Sequence, residues 1–208
     1  RFKGNKPIKF LDTRDFNCSL VKTTDQLLDF IRKNIRFQYL ITGKAERDER
    51  WEYPMVALRE AIINAIVHRD YFDNGNIQIR IFDNSIEIWS PGLLPKELDI
   101  RSLTKNNRSI PRNKQILKLF HLVGEIENWG TGFARIYDAC VKNGNPPPKF
   151  EERAGAFVIK INRAYLEDDS TMQDTMQDTM QDTMQVDKHI LALIFVMDAE
   201  LKRDELQI

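Results

Sequence analysis

A helical pattern between residues 51 and 70 constrains the fold more than any other feature of the chain. Small and branched apolar side chains recur there three or four residues apart, at Ala57, Leu58, Ala61, Ile62, Ala65 and Ile66. Pro54 stands near the start, where proline is tolerated because the first helical N–H has no partner. The spacing predicts an amphipathic helix over residues 51–70 whose apolar side covers a hydrophobic core.

Three polar residues of the same helix, Glu60, Asn64 and His68, recur every four residues and therefore share one face. A carboxylate one turn before an amide suits metal-assisted chemistry. The amide oxygen can ligate a hard cation such as Mg²⁺, and the carboxylate can orient or deprotonate a water. The competing interpretation is a plain solvent-exposed face. At the helix end, His68 and Arg69 either reach a phosphate or a protein carboxylate, or they complement the helix dipole.

The remaining periodic segments predict a mixed domain before residue 165. Helical patterns cover residues 24–35, 114–120 and 133–142, and strand patterns cover 37–42, 76–82, 85–90, 150–152 and 156–162. Thr24 is the expected N-cap of the first helix. Asp83 and Asn84 predict a hairpin turn in left-handed backbone. This order predicts an α+β fold, a two-layer sandwich of helices and a mixed, mostly antiparallel sheet, with a C-terminal helical extension.

Overall composition limits the class of protein. The 208 residues carry 31 Lys+Arg and 31 Asp+Glu, and a formal net charge of +0 argues against a uniformly basic nucleic-acid domain. Without a long apolar run, we expect no transmembrane helix and no membrane partner. Cys18 and Cys140 stand far apart, which favours a reducing, cytoplasmic location. Because the first residue is Arg1 rather than Met, we expect a piece of a longer protein.

The composition changes sharply near residue 165. Residues 166–187 contain seven acids and no Lys or Arg, and Thr-Met-Gln-Asp repeats within them. An acidic linker is the first interpretation, because the repeat lacks core-forming residues; a helix with a methionine stripe is the second. Residues 188–208 predict the truncated start of a further helical domain. We therefore predict one domain over residues 1–165, of which 1–20 form a linking segment from a missing N-terminal domain.

Two glycine-containing turns can bring backbone close to a ligand. Trp129-Gly130-Thr131-Gly132 precedes a helical segment, and the free N–H groups and dipole of a helix N-terminus favour an anion such as phosphate. A tight turn between two helices is the alternative. Ser90-Pro91-Gly92 follows the second hairpin strand and offers a second point of close approach.

Residues 101–120 contain six basic residues and no acids: Arg101, Lys105, Arg108, Arg112, Lys114 and Lys118. Such a segment can bind the phosphates of a nucleotide or of nucleic acid. A solvated loop and helix face is the alternative. No aromatic residue occurs before Phe120, so base stacking on single strands has no support in this segment.

Three segments together resemble the GHKL ATPase group, which includes gyrase B, histidine kinases, MutL and the large heat-shock chaperone. They read ALREAIINAIVHRDY at 57–71, IEIWSPGLLP at 86–95 and IENWGTG at 126–132. More closely, they are similar to a branch of predicted bacterial and archaeal transcriptional regulators whose ATPase-like domain is named after a helicase C-terminus. In that branch the domain follows a Schlafen/AlbA-type domain and often precedes a winged helix. The resemblance covers residues 10–162 and implies DNA as a partner, through modules missing or truncated here.

Carried over onto this sequence, the resemblance implies roles for individual residues. Glu60 matches the general base of the group, and Asn64 its Mg²⁺-ligating asparagine. Gly92 matches the glycine of the first nucleotide box, and Gly130 and Gly132 match the lid glycines that receive the phosphates. The full predicted site has Glu60 as the catalytic residue, with Asn64, His68, Ser90, Gly92, Arg112, Gly130, Thr131 and Gly132 binding ATP and Mg²⁺.

The chain departs from the group at two places. Ser90 stands where the active ATPases have an Asp that accepts from the adenine amino group, and a neutral hydroxyl makes a weaker, less base-specific contact. Phe133 and Ala134 follow Gly132, so the third lid glycine is absent. Both departures favour a regulator that binds ATP or a related nucleotide weakly over an active Mg-dependent ATPase. A degenerate dimerisation module without nucleotide, pairing as a homodimer, is the third alternative.

Overall fold

The computed structural model describes residues 1–40, 48–105, 110–126 and 130–164, all within one compact unit. The elements are α1 (Leu20–Asn34), β1 (Phe37–Leu40), β2 (Asp48–Trp51), α2 (Met55–His68), β3 (Gln78–Ile81), β4 (Ser85–Pro91), a 3₁₀ turn (Ile100–Ser102), α3 (Lys114–Leu122), α4 (Gly132–Lys142), β5 (Lys149–Arg153) and β6 (Ala156–Asn162). The predicted linker and the helical extension lie outside the described residues. No helix in the described ranges has the length and apolarity to cross a membrane.

The strands form a four-stranded antiparallel sheet in the order β3-β4-β6-β5 and a separate antiparallel pair, β1 and β2. Alternation of side chains turns Ile88 and Ile159, which are paired across β4 and β6, toward the helices. Helices on a largely antiparallel sheet are the layers of an α+β sandwich. The predicted fold class and the predicted hairpin of β3 and β4 are therefore confirmed.

Helix α2 lies at the centre of the core rather than along its edge. Helices α1 and α4 and strand β4 all pack against it. Eight of its residues are buried: Ala57, Leu58, Ala61, Ile62, Ile63, Ala65, Ile66 and Val67. All six apolar residues predicted to cover the core are among these eight, so the helix and its core-facing side are confirmed. Glu60, Asn64 and His68, on the polar face, are only partly exposed, so the solvent-face interpretation is wrong.

Two predictions of local structure were wrong. Helix α1 begins at Leu20, one turn before the predicted start, and Thr24 is completely buried inside it. The hydroxyl of Thr24 has no hydrogen-bond partner among the described residues, and Ser19, at the N-cap position, makes no side-chain capping bond. Packing of the helix against the core therefore decides where it begins, since an N-cap oxygen contributes only about 1 kcal/mol.

The hairpin turn at Asp83 does not adopt left-handed backbone, because Ala154 is the sole described non-glycine residue with a positive φ. The carboxylate of Asp83 instead accepts hydrogen bonds from the Gly4 N–H and the Arg1 guanidinium, each at 2.7 Å. The left-handed two-residue turn occurs between β5 and β6, where φ is 52° at Ala154 and 77° at Gly155. The turn between β3 and β4 thus makes a tertiary contact, because Asp83 binds the N-terminal segment.

Candidate functional site

The N-terminus of α4 lies directly on the polar face of α2. A Cβ atom on Gly132 would stand 2.6 Å from Oε1 of Glu60 and 2.8 Å from Nδ2 of Asn64. Only glycine permits this approach without a shift of the two side chains. The structure thus brings the glycine turn and the Glu60/Asn64 pair together, although 68 residues separate Asn64 from Gly132 in the chain.

Glu60 is a largely buried carboxyl with a cationic neighbour. Its side chain is 16% exposed, and Nη1 of Arg135 on α4 lies 3.5 Å from Oε2. Burial raises the pKa of Glu60, and the charge of Arg135 partly opposes that rise. A raised pKa makes the carboxylate a stronger base, as general-base catalysis requires. The ion pair with Arg135 must break before the carboxylate can accept a proton from a water.

Asn64 carries the clearest sign of an unfilled interaction. Its Nδ2 atom is buried and has no hydrogen-bond partner among the described residues. A buried amide without a partner is uncommon in native proteins, and a ligand oxygen would satisfy it. The side chain also presents an amide oxygen toward the space beside Gly132.

Mg²⁺ fits this site only in company with phosphates. The nearby protein oxygens come from Asn64 and Glu60, and no cluster of three or more His, Cys, Asp or Glu occurs among the described residues. Mg²⁺ is commonly held by one or two protein oxygens together with substrate phosphates rather than by a full protein cage. The residues therefore suit a nucleotide-borne Mg²⁺.

A cavity of about 40 Å³ lies between α2, β4 and α4. Its polar lining comes from residues predicted as nucleotide-binding: Asn64, His68, Ser90, Gly92 and Arg112. Ligand pockets usually measure about 300–1,000 Å³, so the cavity holds a few waters but no purine. Apolar side chains such as Leu94, Leu98 and Phe133 complete the lining and must move before a base can enter.

Ser90 is buried at the end of β4 and already has a partner. Its Oγ donates a hydrogen bond to the backbone carbonyl of Ala65 on α2, at 2.8 Å. The hydroxyl proton is used within the fold, and the oxygen keeps lone pairs that can accept from a base. The serine therefore ties the strand to the helix, and its capacity to recognise a base is restricted to one neutral acceptor.

His68 is a neutral histidine in this cavity. Burial, together with a smaller effect of the charge of Arg112, lowers its pKa to about 4. At neutral pH such a ring carries no charge and supplies one hydrogen-bond donor and one acceptor.

Arg112 holds the loop after β4 in place. Its Nη1 lies 2.7 Å from Oδ2 of Asp70, and its Nη2 donates to the carbonyl oxygen of Leu93 at 2.7 Å. Gly92 has a φ of 105°, and a Cβ there would stand 3.0 Å from the Cβ of Asp70. Glycine is required by both the backbone conformation and this crowding. Arg112 is thus engaged by the protein rather than free for a phosphate.

Two residues of this region escaped the sequence analysis. Asp70 pairs with Arg112, and its N–H donates to the Pro91 carbonyl at 2.8 Å. Asn113 donates through Nδ2 to the carbonyls of Val67 at 2.9 Å and Arg69 at 2.7 Å, which closes the C-terminal end of α2. Asp70 could have been identified from the sequence because it directly follows the helix that carries Glu60, Asn64 and His68. No local sequence pattern identifies Asn113.

The other predicted residues are divided between the site and the surface. Gly130 has a φ of 85°, which favours glycine, and Thr131 occupies the N-cap position of α4 without a side-chain capping bond. Arg112 is the only described member of the basic set at 101–120 that lines the cavity. Lys114 and Lys118 are exposed on α3, and Arg108 lies outside the described residues.

Part of this chain is similar to known proteins. Residues 74–161 match a family described as "Putative ATP-dependent DNA helicase recG C-terminal". The match includes Ser90, Gly92, Arg112 and Gly132 and begins after α2. The crystal structure of the DIP2311 protein from Corynebacterium diphtheriae is similar at 25% identity with a TM-score of 0.62. That similarity covers 70% of this chain and 30% of the other. No curated protein matches.

The family match supports an ATPase-like domain and nucleotide binding. The chain spans about 30% of the length of the similar solved protein.

Proposed function

We propose that this domain binds ATP or a related nucleotide between α2, the end of β4 and the N-terminus of α4, and that binding regulates attached DNA-binding modules. The contact of Gly132 with Glu60 and Asn64 carries the proposal. It places a helix N-terminus, which attracts phosphates, against an amide that lacks a partner. The match to an ATPase-like family supports the same ligand.

The roles follow from position. The backbone N–H groups at the start of α4 would receive phosphate oxygens, since Gly132 allows close approach. The amide oxygen of Asn64 would help to hold Mg²⁺, which neutralises phosphate charge when bound. Ser90 and His68 would face the base as neutral hydrogen-bonding groups.

Binding should be weak. The cavity of about 40 Å³ must widen, and the energy of displacing its apolar lining is subtracted from the affinity. None of the described residues that line the cavity has a carboxylate to accept from a base amino group. We expect a dissociation constant in the high micromolar to millimolar range, which corresponds to a binding free energy on the order of 4–6 kcal/mol in magnitude.

Isothermal titration of the full chain with ATP and Mg²⁺ tests this function. Heat that disappears in Asn64→Ala supports it, and Lys118→Ala, on the exposed face of α3, is the matched control. Absence of heat at millimolar nucleotide in the unaltered chain would contradict nucleotide binding and leave the fold assignment intact.

A Mg-dependent ATPase is the second candidate, and the raised pKa of Glu60 is the observation in its favour. In this proposal Glu60 accepts the proton of an attacking water after release from Arg135. Release of phosphate should then fall about 100-fold or more in Glu60→Ala. Asp138→Ala, at an exposed position on α4, should retain the rate. Equal rates in all three proteins would exclude the enzyme.

A further inference from the structure

A second concave region, the N-terminal groove, shares no lining residue with the cavity beside α2. It encloses about 840 Å³ between the segment before α1, α1 itself and strand β3. This volume falls within the range of about 300–1,000 Å³ that is typical of ligand sites. The lining combines arginines, at Arg14, Arg69 and Arg80, with aromatic rings, at Phe10, Phe16 and Tyr71.

Three of the four groove arginines have no acidic partner among the described residues, whereas the fourth, Arg1, pairs with Asp83 at 2.7 Å. Arg14, Arg69 and Arg80 form no ion pair with any described carboxylate, and Nε of Arg69 is buried without a hydrogen-bond partner among the described residues. Arg69 also donates to the carbonyl of Gly75 at 2.7 Å, which orients its guanidinium. Two acids share the lining, Asp12 and Asp15, against the three arginines that form no ion pair with a described residue. The lining thus has an excess of positive charge that an anion can neutralise.

Aromatic rings stand beside these cations. The guanidinium of Arg69 lies 4.9 Å from the ring of Tyr71, and that of Arg14 lies 5.1 Å from the ring of Phe16. Phe10 is 63% exposed and packs on Phe2 with ring centroids 4.7 Å apart, so one side of its ring is open. Phe10 and Tyr71, which are both exposed, therefore offer stacking surfaces within a positive groove.

We propose that the N-terminal groove binds single-stranded nucleic acid. Arginines contact the phosphates, and the open rings of Phe10 and Tyr71 stack on the bases, which every base permits because each has a π face. The approach is basic as well: Arg1, Lys3, Lys6 and Lys9 precede Asp12 with no acid among them. Residues 101–120 are basic without interleaved aromatic side chains, whereas this groove has both components.

Fluorescence anisotropy of labelled oligodeoxythymidylate tests the proposal with the full chain. A strand of about 15 nucleotides spans the site size of a single binding groove. With about three phosphate contacts, log affinity should fall with log salt at a slope of about −2, which is roughly 15-fold between 50 and 200 mM salt. Arg14→Ala should weaken binding about threefold to tenfold and reduce the slope by about 0.7. Arg14→Lys should keep the slope.

The aromatic part of the groove has its own variant and control. Phe10→Leu retains an apolar side chain but removes the stacking surface, and it should weaken binding about fivefold or more with no change of slope. Lys118→Ala removes an exposed charge elsewhere and should bind normally. Circular dichroism melting confirms that each variant is folded.

Four results would overturn the proposal. The first is no anisotropy change at low salt, and the second is an equal loss of affinity in Arg14→Ala and Lys118→Ala. The third is equal affinity for duplex and single strand, since a duplex offers no free base faces. The fourth is complete displacement of the strand by ATP with Mg²⁺, which would assign binding to the nucleotide cavity instead.

Discussion

The two concave regions of this domain differ in every property that governs ligand choice. The cavity beside α2 is about 40 Å³ and is lined by Asn64, neutral His68 and Ser90 among apolar side chains. The N-terminal groove is about 840 Å³, and three of its four arginines have no acidic partner among the described residues. A small neutral cavity selects by shape and needs its walls to move, whereas a wide charged groove attracts anions from a distance. The comparison suggests two separate ligands on one domain.

Lowering the pH from 7 to 4 should reduce the free energy of unfolding more than any of the single substitutions described below. The folded-state pKa of His68, about 4, lies below the ordinary value of 6.5, so the unfolded chain binds this proton more readily. The stability that neutral His68 contributes is present above pH 6.5 and is lost as the pH falls toward 4. At pH 4 the loss reaches at most about 3 kcal/mol.

Urea unfolding of the unaltered chain and of His68→Gln across pH 7 to 4 measures this effect. The pH-dependent loss should be smaller in the variant by that amount, and oligonucleotide affinity at neutral pH should be equal in both proteins. If the free energies of unfolding of the two proteins depend on pH in the same way, burial does not lower the pKa of His68.

Substitution of Gly132 should separate the two regions by function. In Gly132→Ala the new methyl group meets Glu60 and Asn64 at less than 3 Å, so both side chains must shift. Crowding of this kind costs about 1–3 kcal/mol, offset by about 0.5–1 kcal/mol from better helix propensity. We expect a net loss near 1–2 kcal/mol and no nucleotide heat, with normal binding of the oligonucleotide.

Gly124→Ala is the matched control for that substitution. A Cβ there meets no atom of the described residues within 4 Å, but φ is 78°, so backbone strain of about 1 kcal/mol is expected. Retained nucleotide heat in Gly132→Ala would show that α4 does not approach the ligand.

Removal of the charge of Glu60 has the smallest expected effect, and it is stabilising. Because burial raises the pKa of Glu60, the ionised form is disfavoured in the folded state at neutral pH. Glu60→Gln should increase stability by about 1 kcal/mol, as is common for substitutions at functional sites. Loss of the half-exposed pair with Arg135 offsets only a fraction of this.

Thermal melts at pH 7 and at pH 4 measure the Glu60 effect. The gain should shrink at the lower pH, where the carboxyl of the unaltered chain is itself protonated. Asp138→Asn, at an exposed position on α4, should change stability little. A destabilised Glu60→Gln would mean that the ion pair outweighs burial.

Elements with a strong local pattern were predictable, and those that depend on tertiary contacts were not. The hairpin of β3 and β4 follows from alternating side chains, and its strands pair as expected, for example Ile79 with Ile88. The start of α1 was not predictable, because core packing and not Thr24 decides it. The burial of α2 on nearly all sides depends on α1, α4 and β4, which no local pattern assigns to it.

The sequence predicted which residues lie at the candidate site, but not their burial, their protonation or their contacts. Glu60, Asn64 and His68 lie one turn apart on one helix, and such spacing is visible in any sequence. Their burial, the lowered pKa of His68 and the engagement of Arg112 by Asp70 arise from neighbours distant in the chain. The groove was not predicted at all, since Arg14, Arg69 and Arg80 are spread over 67 residues.

By itself, the sequence determined the kinds of element and the face shared by Glu60, Asn64 and His68, because periodicity acts within a few residues along one helix or strand. Only the tertiary structure decided that Gly132 closes on that face, that the cavity is nearly filled and that three arginines share a groove. The physical reason is that burial and charge depend on which distant segments meet. Solvation and Coulomb energies respond to those distances in space and not to positions in the chain.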